Sequence, residues 1–277
     1  RDSLPPLLIH SFLFEDSTHL NKWSKNLPMT KIGNNYLNFI ASHDGIGLRP
    51  AETFLTKDEV TRFINLMEQN GGRVSYRSNN TDTPEPYEIN ITLFDAMKES
   101  FNKEVNLYVE RFICIHAIML SLEGVPAFYI HSLFGTRNDY ALYKQTNQNR
   151  SLNRGKIQIS EIDLSKQTES QSYIFLQLRK LIIIRKKQPA FHPNAVQFTL
   201  HLGSNLYGIW RQSLDKKQSI FCISNLTDAV VNLSLLDLNL IGFDHWRDII
   251  TEIEIDDITS EIELRPYQTM WLTNLQD

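Results

Sequence analysis

A chain of 277 residues with 42% hydrophobic and 22% charged side chains is globular in composition, which excludes collagen-like, low-complexity and disordered readings. Its 28 Lys and Arg against 32 Asp and Glu give a net charge of −4, so the bulk basicity of a nucleic-acid binder is missing. No apolar run approaches the ~18 residues of a membrane-spanning helix, and no charged-then-apolar leader opens the chain.

Taken in order, residues 4–14 are apolar behind Pro5-Pro6 and predict a short buried strand or strand-loop. A helix is expected over 17–25, with Ser17 as its N-cap. Residues 36–41 read as a buried strand that opens abruptly into Ser42-His43-Asp44-Gly45, as strands do where they end in a site. Thr56, with Glu59 three residues on, starts a helix through Gln69 in capping-box fashion, and Gly71-Gly72 ends it. Residues 75–88, with Pro84 and Pro86, predict a long surface excursion. Residues 105–122 predict a buried helix stopped by Gly124 and Pro126, and 127–130 another short buried strand leading into His131-Ser132. Residues 171–187 predict an amphipathic helix whose Arg185, Lys186 and Lys187 suit its negative C-terminal end.

After Gln188-Pro189 the texture changes. Short alternating runs at 196–200, 206–210, 219–224, 230–235, 246–250 and 269–272 are separated by turn residues and predict a small all-β domain. The expected organisation is an α/β part over 1–190 and an all-β part over 191–277.

Cys114 and Cys222 each sit in an apolar stretch and read as buried thiols, with a disulfide between them as the alternative. So few cysteines favour a reducing cytoplasm. Neither zinc-ligand spacing nor a dinucleotide fingerprint is present: Gly45-Ile46-Gly47 is followed by Pro50 where a third glycine belongs. His43-Asp44 at a strand end can donate to and accept from a polyhydroxylated ligand, or form a hydrogen-bonded turn with Gly45. Arg137 and Asp139 could pair with each other. Arg150 and Arg154 in the polar run 147–154 could bind an anion or sugar hydroxyls, or lie in a solvated loop.

Together these stretches resemble a known family. Asn38-Phe39-Ile40-Ala41-Ser42-His43-Asp44-Gly45-Ile46-Gly47 resembles the seventh-strand motif of the α-amylase superfamily, glycoside hydrolase family 13, and more narrowly its sucrose phosphorylase subgroup. Gly124-Val125-Pro126-Ala127-Phe128-Tyr129, followed by residues 131–139, resembles that subgroup's eighth strand and loop, and Ser151-Leu152-Asn153-Arg154 its Asn-Arg signature. Within the subgroup, Gly47-Leu48-Arg49-Pro50, Gly71-Gly72-Arg73-Val74-Ser75-Tyr76 and Pro86-Tyr87-Glu88-Ile89-Asn90 look more like the glucosylglycerate phosphorylase branch, since sucrose phosphorylases tend to carry Gln in place of Glu88.

The resemblance implies the C-terminal part of a (β/α)8 TIM barrel, about strands 6–8, followed by the all-β domain. It implies retaining glucosyl transfer in which a carboxylate nucleophile forms a glucosyl-enzyme and inorganic phosphate releases α-glucose 1-phosphate. Asp44 would stabilise the transition state through sugar hydroxyls, while His43 and Arg154 would also line the glucosyl site. Tyr87 and Glu88 would sit on the acceptor loop, and Arg49 would grip an anionic acceptor such as glycerate. No cofactor, metal, nucleic acid or membrane is expected, only a small sugar and phosphate. Counterparts of the family's nucleophile Asp and acid/base Glu are missing. A barrel alone takes ~250 residues, and the chain begins Arg1-Asp2-Ser3 without Met. The expectation is therefore a C-terminal fragment, inactive and aggregation-prone alone. An amylosucrase-like hydrolase or transglucosylase and a non-catalytic carbohydrate-binding module are the alternatives.

Overall fold

In the computed structural model, all residues are described except 29, 32, 78–83, 102, 105, 159, 161–169, 239, 241–244 and 275–277. The chain divides by its contacts into two interleaved units. One comprises 1–14, 39–112 and 127–177, the other 15–38, 113–126 and 178–277.

The first unit opens with helix α1 (Leu4–Phe14), not the expected strand. Pro5 and Pro6 fall in its first turn, where amides have no intrahelical acceptor and proline is tolerated. Because it is buried on nearly every face, it shows none of the one-sided patterning that marks a surface helix. Arg111, itself buried, donates to Phe12 O at 2.7 Å and Met97 O at 3.2 Å, satisfying carbonyls inside this core.

The second unit begins with α2 (Thr18–Lys25). Ser17 stands at its N-cap but makes no side-chain cap. Its hydroxyl instead donates to Gly203 O, while Asp16 Oδ1 accepts the Thr18 amide at 2.8 Å. The strand expected over 36–41 shortens to β1 (Leu37–Asn38).

Back in the first unit, β2 (Ile46–Gly47) precedes α3 (Lys57–Gln69), where both halves of the Thr56–Glu59 capping box form. Asn70 is its C-cap, and Gly71 follows at φ +96°. The surface excursion is a β-hairpin, β3 (Arg73–Arg77) and β4 (Glu85–Asn90), whose tip at 78–83 lies outside the described residues. The three strands are ordered β2-β4-β3. Pro86 fits because it lies beyond the reach of β2 and opposite Tyr76, next to a register shift at Ser75/Tyr76 where the ladder is already broken. Then come α4 (Leu93–Ala96), β5 (Glu99–Ser100) and β6 (Lys103–Glu104).

Helix α5 (Tyr108–Ser121) is the expected buried helix. The strand expected over 127–130 is instead β7 (Val125–Pro126), and 130–133 turns into α6 (Ile130–Leu133). β7 pairs in parallel with β1, Leu37 opposite Val125 and Asn38 opposite Pro126. Pro126 has no amide to extend the ladder, which accounts for the shortness of both strands. Next are α7 (Tyr140–Thr146), a 3-10 turn (Asn149–Asn153) and α8 (Ser170–Lys186). Arg185 does not decorate the solvated end of α8. It is buried and donates to Leu120 O at 2.6 Å and Gly124 O at 2.9 Å, so it caps the carbonyl end of α5. Burial lowers its pKa to about 10, which leaves it cationic near neutrality.

The C-terminal part is rich in β-sheet. β8 (Val196–Thr199), β9 (Leu206–Gln212), β10 (Ser219–Asn225), β12 (Trp246–Asp248), β13 (Ile253–Ile255) and β15 (Thr269–Thr273) form one antiparallel sheet ordered β13-β12-β15-β10-β9-β8. β11 (Val231–Ser234) and β14 (Glu261–Leu264) pair separately. Leu206, Phe221, Ile223, Trp246, Met270 and Leu272 belong to the core they enclose. Both cysteines are free and buried, and burial pushes the Cys114 thiol up to about 12 and raises that of Cys222 as well.

Among the described residues, no helix is long and apolar enough to cross a membrane.

Candidate active site

Every residue of the site lies in the first unit. Ser42-His43-Asp44-Gly45 is a tight connection into β2, and Gly45 is dictated by space. A Cβ there would meet Glu88 Cγ and Ile89 O, both at 2.5 Å. Gly45 is therefore pressed against β4, where Gly47 pairs with Glu88 and the Leu48 amide donates to Tyr87 O.

The other wall is the 3-10 turn at 149–153. Asn149 Nδ2 donates to Val74 O and Ser75 Oγ, seating the turn on the β3–β4 hairpin. Asn153 Nδ2 donates to Ser42 O at 3.1 Å and Asp44 O at 2.9 Å, and Tyr129 Oη donates to Asn153 O at 2.7 Å. Buried Asn153 lines the cavity below Asp44, and its Oδ1 has no partner among the described residues.

Two guanidiniums one helical turn apart then converge on one carboxylate. Arg150 Nη1 lies 2.8 Å and Arg154 Nη2 3.1 Å from Asp44 Oδ1. Arg154 Nε donates to His43 O at 2.7 Å. Arg150 Nε and Nη2 grip Glu88 in a fork, at 3.0 and 2.8 Å. That bond, with Asp44 nearby, holds the Arg150 guanidinium above its ordinary pKa. The Glu88 side chain is only 8% exposed, against 41% for Asp44. Asp44 Oδ2 faces His43 Nε2 at 3.6 Å, too far for a hydrogen bond, and the imidazole is 70% exposed.

Below lies a cavity of about 310 Å³, lined among others by Phe39, Ser42, Asp44, Glu88, Tyr129 and His131. That size falls within the roughly 300–1,000 Å³ of small-molecule sites. His131 Nδ1 is bonded to Thr136 Oγ1 at 2.6 Å, and burial lowers its pKa. Such a pocket offers carboxylate, amide and hydroxyl groups and aromatic faces to a polyhydroxylated guest. Among the described residues, no group of three or more His, Cys, Asp or Glu is arranged to hold a metal ion.

Of the residues singled out from sequence, His43, Asp44, Glu88 and Arg154 come together. Tyr87 neighbours the cluster through β4, where its carbonyl accepts the Leu48 amide. Arg49 is exposed in the 3-10 turn Arg49–Ala51, and among the described residues its side chain has no hydrogen bond or ion pair. The pairing of Arg137 with Asp139 does not form. Arg137 bonds Asp95 Oδ1 at 3.1 Å, and Asp139 caps α7 through the Leu142 amide. Arg150 and Asn153 carry much of the geometry. Their signal in the sequence was spacing: Arg150 and Arg154 four apart, with Asn153 beside them.

No protein-family profile matches the chain. Glucosylglycerate phosphorylase of Escherichia coli (strain K12) is 36% identical over 275 residues, 98% of this chain and 47% of its own length. Sucrose phosphorylase of Agrobacterium vitis is 27% identical over 252 residues, 87% of this chain and 47% of its own. The crystal structure of sucrose 6F-phosphate phosphorylase from Thermoanaerobacter thermosaccharolyticum matches with a TM-score of 0.69 at 19% identity, over 96% of this chain and 47% of that one. The chain spans about half the length of the curated relatives it matches. It is a homologue of glucosylglycerate and sucrose phosphorylases and has an α/β fold with a sheet-rich C-terminal part, as in the sucrose 6F-phosphate phosphorylase structure.

Proposed function

We propose that the protein to which this chain belongs is a retaining glucosyl phosphorylase, reversibly converting an α-glucoside and inorganic phosphate to α-glucose 1-phosphate, with glucosylglycerate as the first substrate to try and sucrose as the second. The observation that carries this reading is the Asp44 carboxylate, held by Arg150 and Arg154 at the mouth of a small-molecule cavity, in a homologue of phosphorylases. In it, β1 and β7 are the seventh and eighth strands of a (β/α)8 barrel, a reading supported by their parallel pairing across long connections. Residues 1–190 are then barrel and 191–277 the C-terminal domain. The segment 4–14, expected as a strand or strand-loop, is helical and supplies no barrel strand.

Asp44 and His43 receive the hydroxyls of the glucosyl group, in contacts that strengthen as the oxocarbenium-like transition state develops. Arg154 borders the same subsite. Tyr87 and Glu88 lie on the acceptor side, and Arg49 offers an exposed guanidinium to an acceptor carboxylate. The nucleophile carboxylate and the acid/base group belong to the half of the relatives' length that this chain does not span. The nucleophile displaces the protonated acceptor from the anomeric carbon. A phosphate oxygen then displaces the nucleophile, regenerating it and releasing glucose 1-phosphate. Two buried thiols are consistent with a cytoplasmic setting.

The test is incubation of the full-length protein with glucosylglycerate, with and without phosphate. Glucose 1-phosphate formed only with phosphate supports the reading. Free glucose released equally in both indicates a hydrolase, and no turnover at all with sugar binding intact indicates a binding module.

A further inference from the structure

Asp44 has two carboxylate oxygens in unlike surroundings. Oδ1 accepts from Arg154 Nη2 at 3.1 Å and forms an ion pair with Arg150 Nη1 at 2.8 Å, whereas among the described residues Oδ2 has the 3.6 Å approach of His43 Nε2. The orientation of a carboxylate on a short connection is set by the charges beside it, and here the shorter approach is the Arg150 ion pair at 2.8 Å. Arg150 is in turn fixed from behind. Its fork with Glu88 uses Nε and one Nη, and the other Nη stands 2.8 Å from Asp44 Oδ1. Glu88 is buried on β4, in register with Gly47, and Asn149 pins the turn that carries Arg150 to the same hairpin. The chain of fixation runs from a buried strand, through Glu88, to Arg150 and Asp44.

We propose that Arg150 is a positioning residue: locked by Glu88, it holds Asp44 Oδ1 so that Oδ2 stays turned outward beside His43 to accept a sugar hydroxyl. This rests on the reading of the pocket as a sugar site. It also recasts Glu88, whose carboxylate is engaged with Arg150 and acts on the ligand through it.

The experiment is calorimetric titration of the full-length protein with glucose, for wild type, Arg150→Met, Arg150→Lys, Glu88→Gln, Asp44→Asn and the double variant Arg150→Met/Asp44→Asn. Arg150→Met should weaken glucose about tenfold, because the ion pair that orients Asp44 is lost. Arg150→Lys keeps the charge but not the fork, and Glu88→Gln leaves Asp44 untouched. Each should weaken binding by a smaller factor, about threefold. The decisive comparison is the double variant. If Arg150 acts through Asp44, adding Arg150→Met to Asp44→Asn costs no further affinity. An equal tenfold loss in both backgrounds overturns the proposal, as does a wild-type protein that binds no glucose. Glucose binding that follows this pattern without phosphate-dependent turnover would sustain the proposal while refuting the phosphorylase reading.

Discussion

Gly45→Ala should damage stability and the site together. A Cβ at this position would stand 2.5 Å from Glu88 Cγ and from Ile89 O, and 2.9 Å from the Ile89 carbonyl carbon. Those approaches are about 1 Å short of ordinary van der Waals contact. Two of the three atoms are backbone in a strand paired on both sides, β2 and β3, so they cannot swing aside as a side-chain end would. β2 must therefore retreat from β4 by most of that distance. Overpacking of this kind typically costs about 1–3 kcal/mol, and the backbone contacts put this case in the upper half, near 2–3 kcal/mol. The displaced residue next in sequence is Asp44, whose contacts with Arg150 and Arg154 lie at 2.8 and 3.1 Å. A misplacement of about 1 Å can remove on the order of 100-fold in turnover. Urea denaturation of the full-length protein measures the first effect and steady-state phosphorolysis the second. A variant within 0.5 kcal/mol of wild type, roughly the scale of an ordinary surface substitution, and of unchanged rate would show that β2 is not pressed against β4.

Three further outcomes can be checked. A double-mutant cycle between Arg150→Met and Glu88→Gln should return about 2 kcal/mol of coupling in urea denaturation. That figure follows from two charge-assisted bonds to a nearly buried carboxylate, discounted because the arginine side chain is 40% exposed. Coupling that vanishes in high salt would mark an ordinary surface pair. Cys114 and Cys222 should resist iodoacetamide in the native protein and react once it is denatured, since burial raises both pKa values, that of Cys114 to about 12. Rapid native labelling would contradict that burial. His131 has its folded pKa lowered from 6.5 by burial, so the unfolded chain binds the proton more readily. Its contribution is complete above pH 6.5 and is lost as pH falls through the lowered value. Thermal midpoints measured from pH 7 to pH 5 should fall more steeply for wild type than for His131→Asn, which keeps an acceptor or donor near Thr136. Equal slopes would show that His131 does not contribute.

Much of the fold was legible where one physical rule acted alone. The Thr56–Glu59 box is a local hydrogen-bond exchange, and it forms as read. The buried helix at 108–121 follows from an apolar run longer than any strand. Reading failed where two rules competed. Pro5-Pro6 looks like a breaker and is also what a helix accepts in its first turn, and only the packing around residues 4–14 decides between them. Pro84 and Pro86 suggested a loop because the register shift that accommodates Pro86 is a property of the partner strand. Strands β13 and β14 went unread because Ile253–Ile255 and Glu261–Leu264 are short and heavily charged, as edge strands often are.

At the site, the residues legible from sequence were those whose chemistry shows in isolation: a His-Asp pair at a strand end and an Asn-Arg pair. Arg150 was visible only as one of two arginines in a polar run, because its importance depends on Glu88, 62 positions earlier in the chain. A charged residue far away in sequence can be a partner only once β4 brings it across. The same logic explains Arg137, whose near neighbour Asp139 was the obvious partner and whose actual one is Asp95. Asp139 is already committed to the Leu142 amide of α7, one of the donors that a first helical turn leaves without an intrahelical partner. Sequence proximity therefore overstated pairing along the chain and understated it across the hairpin, and the cluster that defines this pocket is of the second kind.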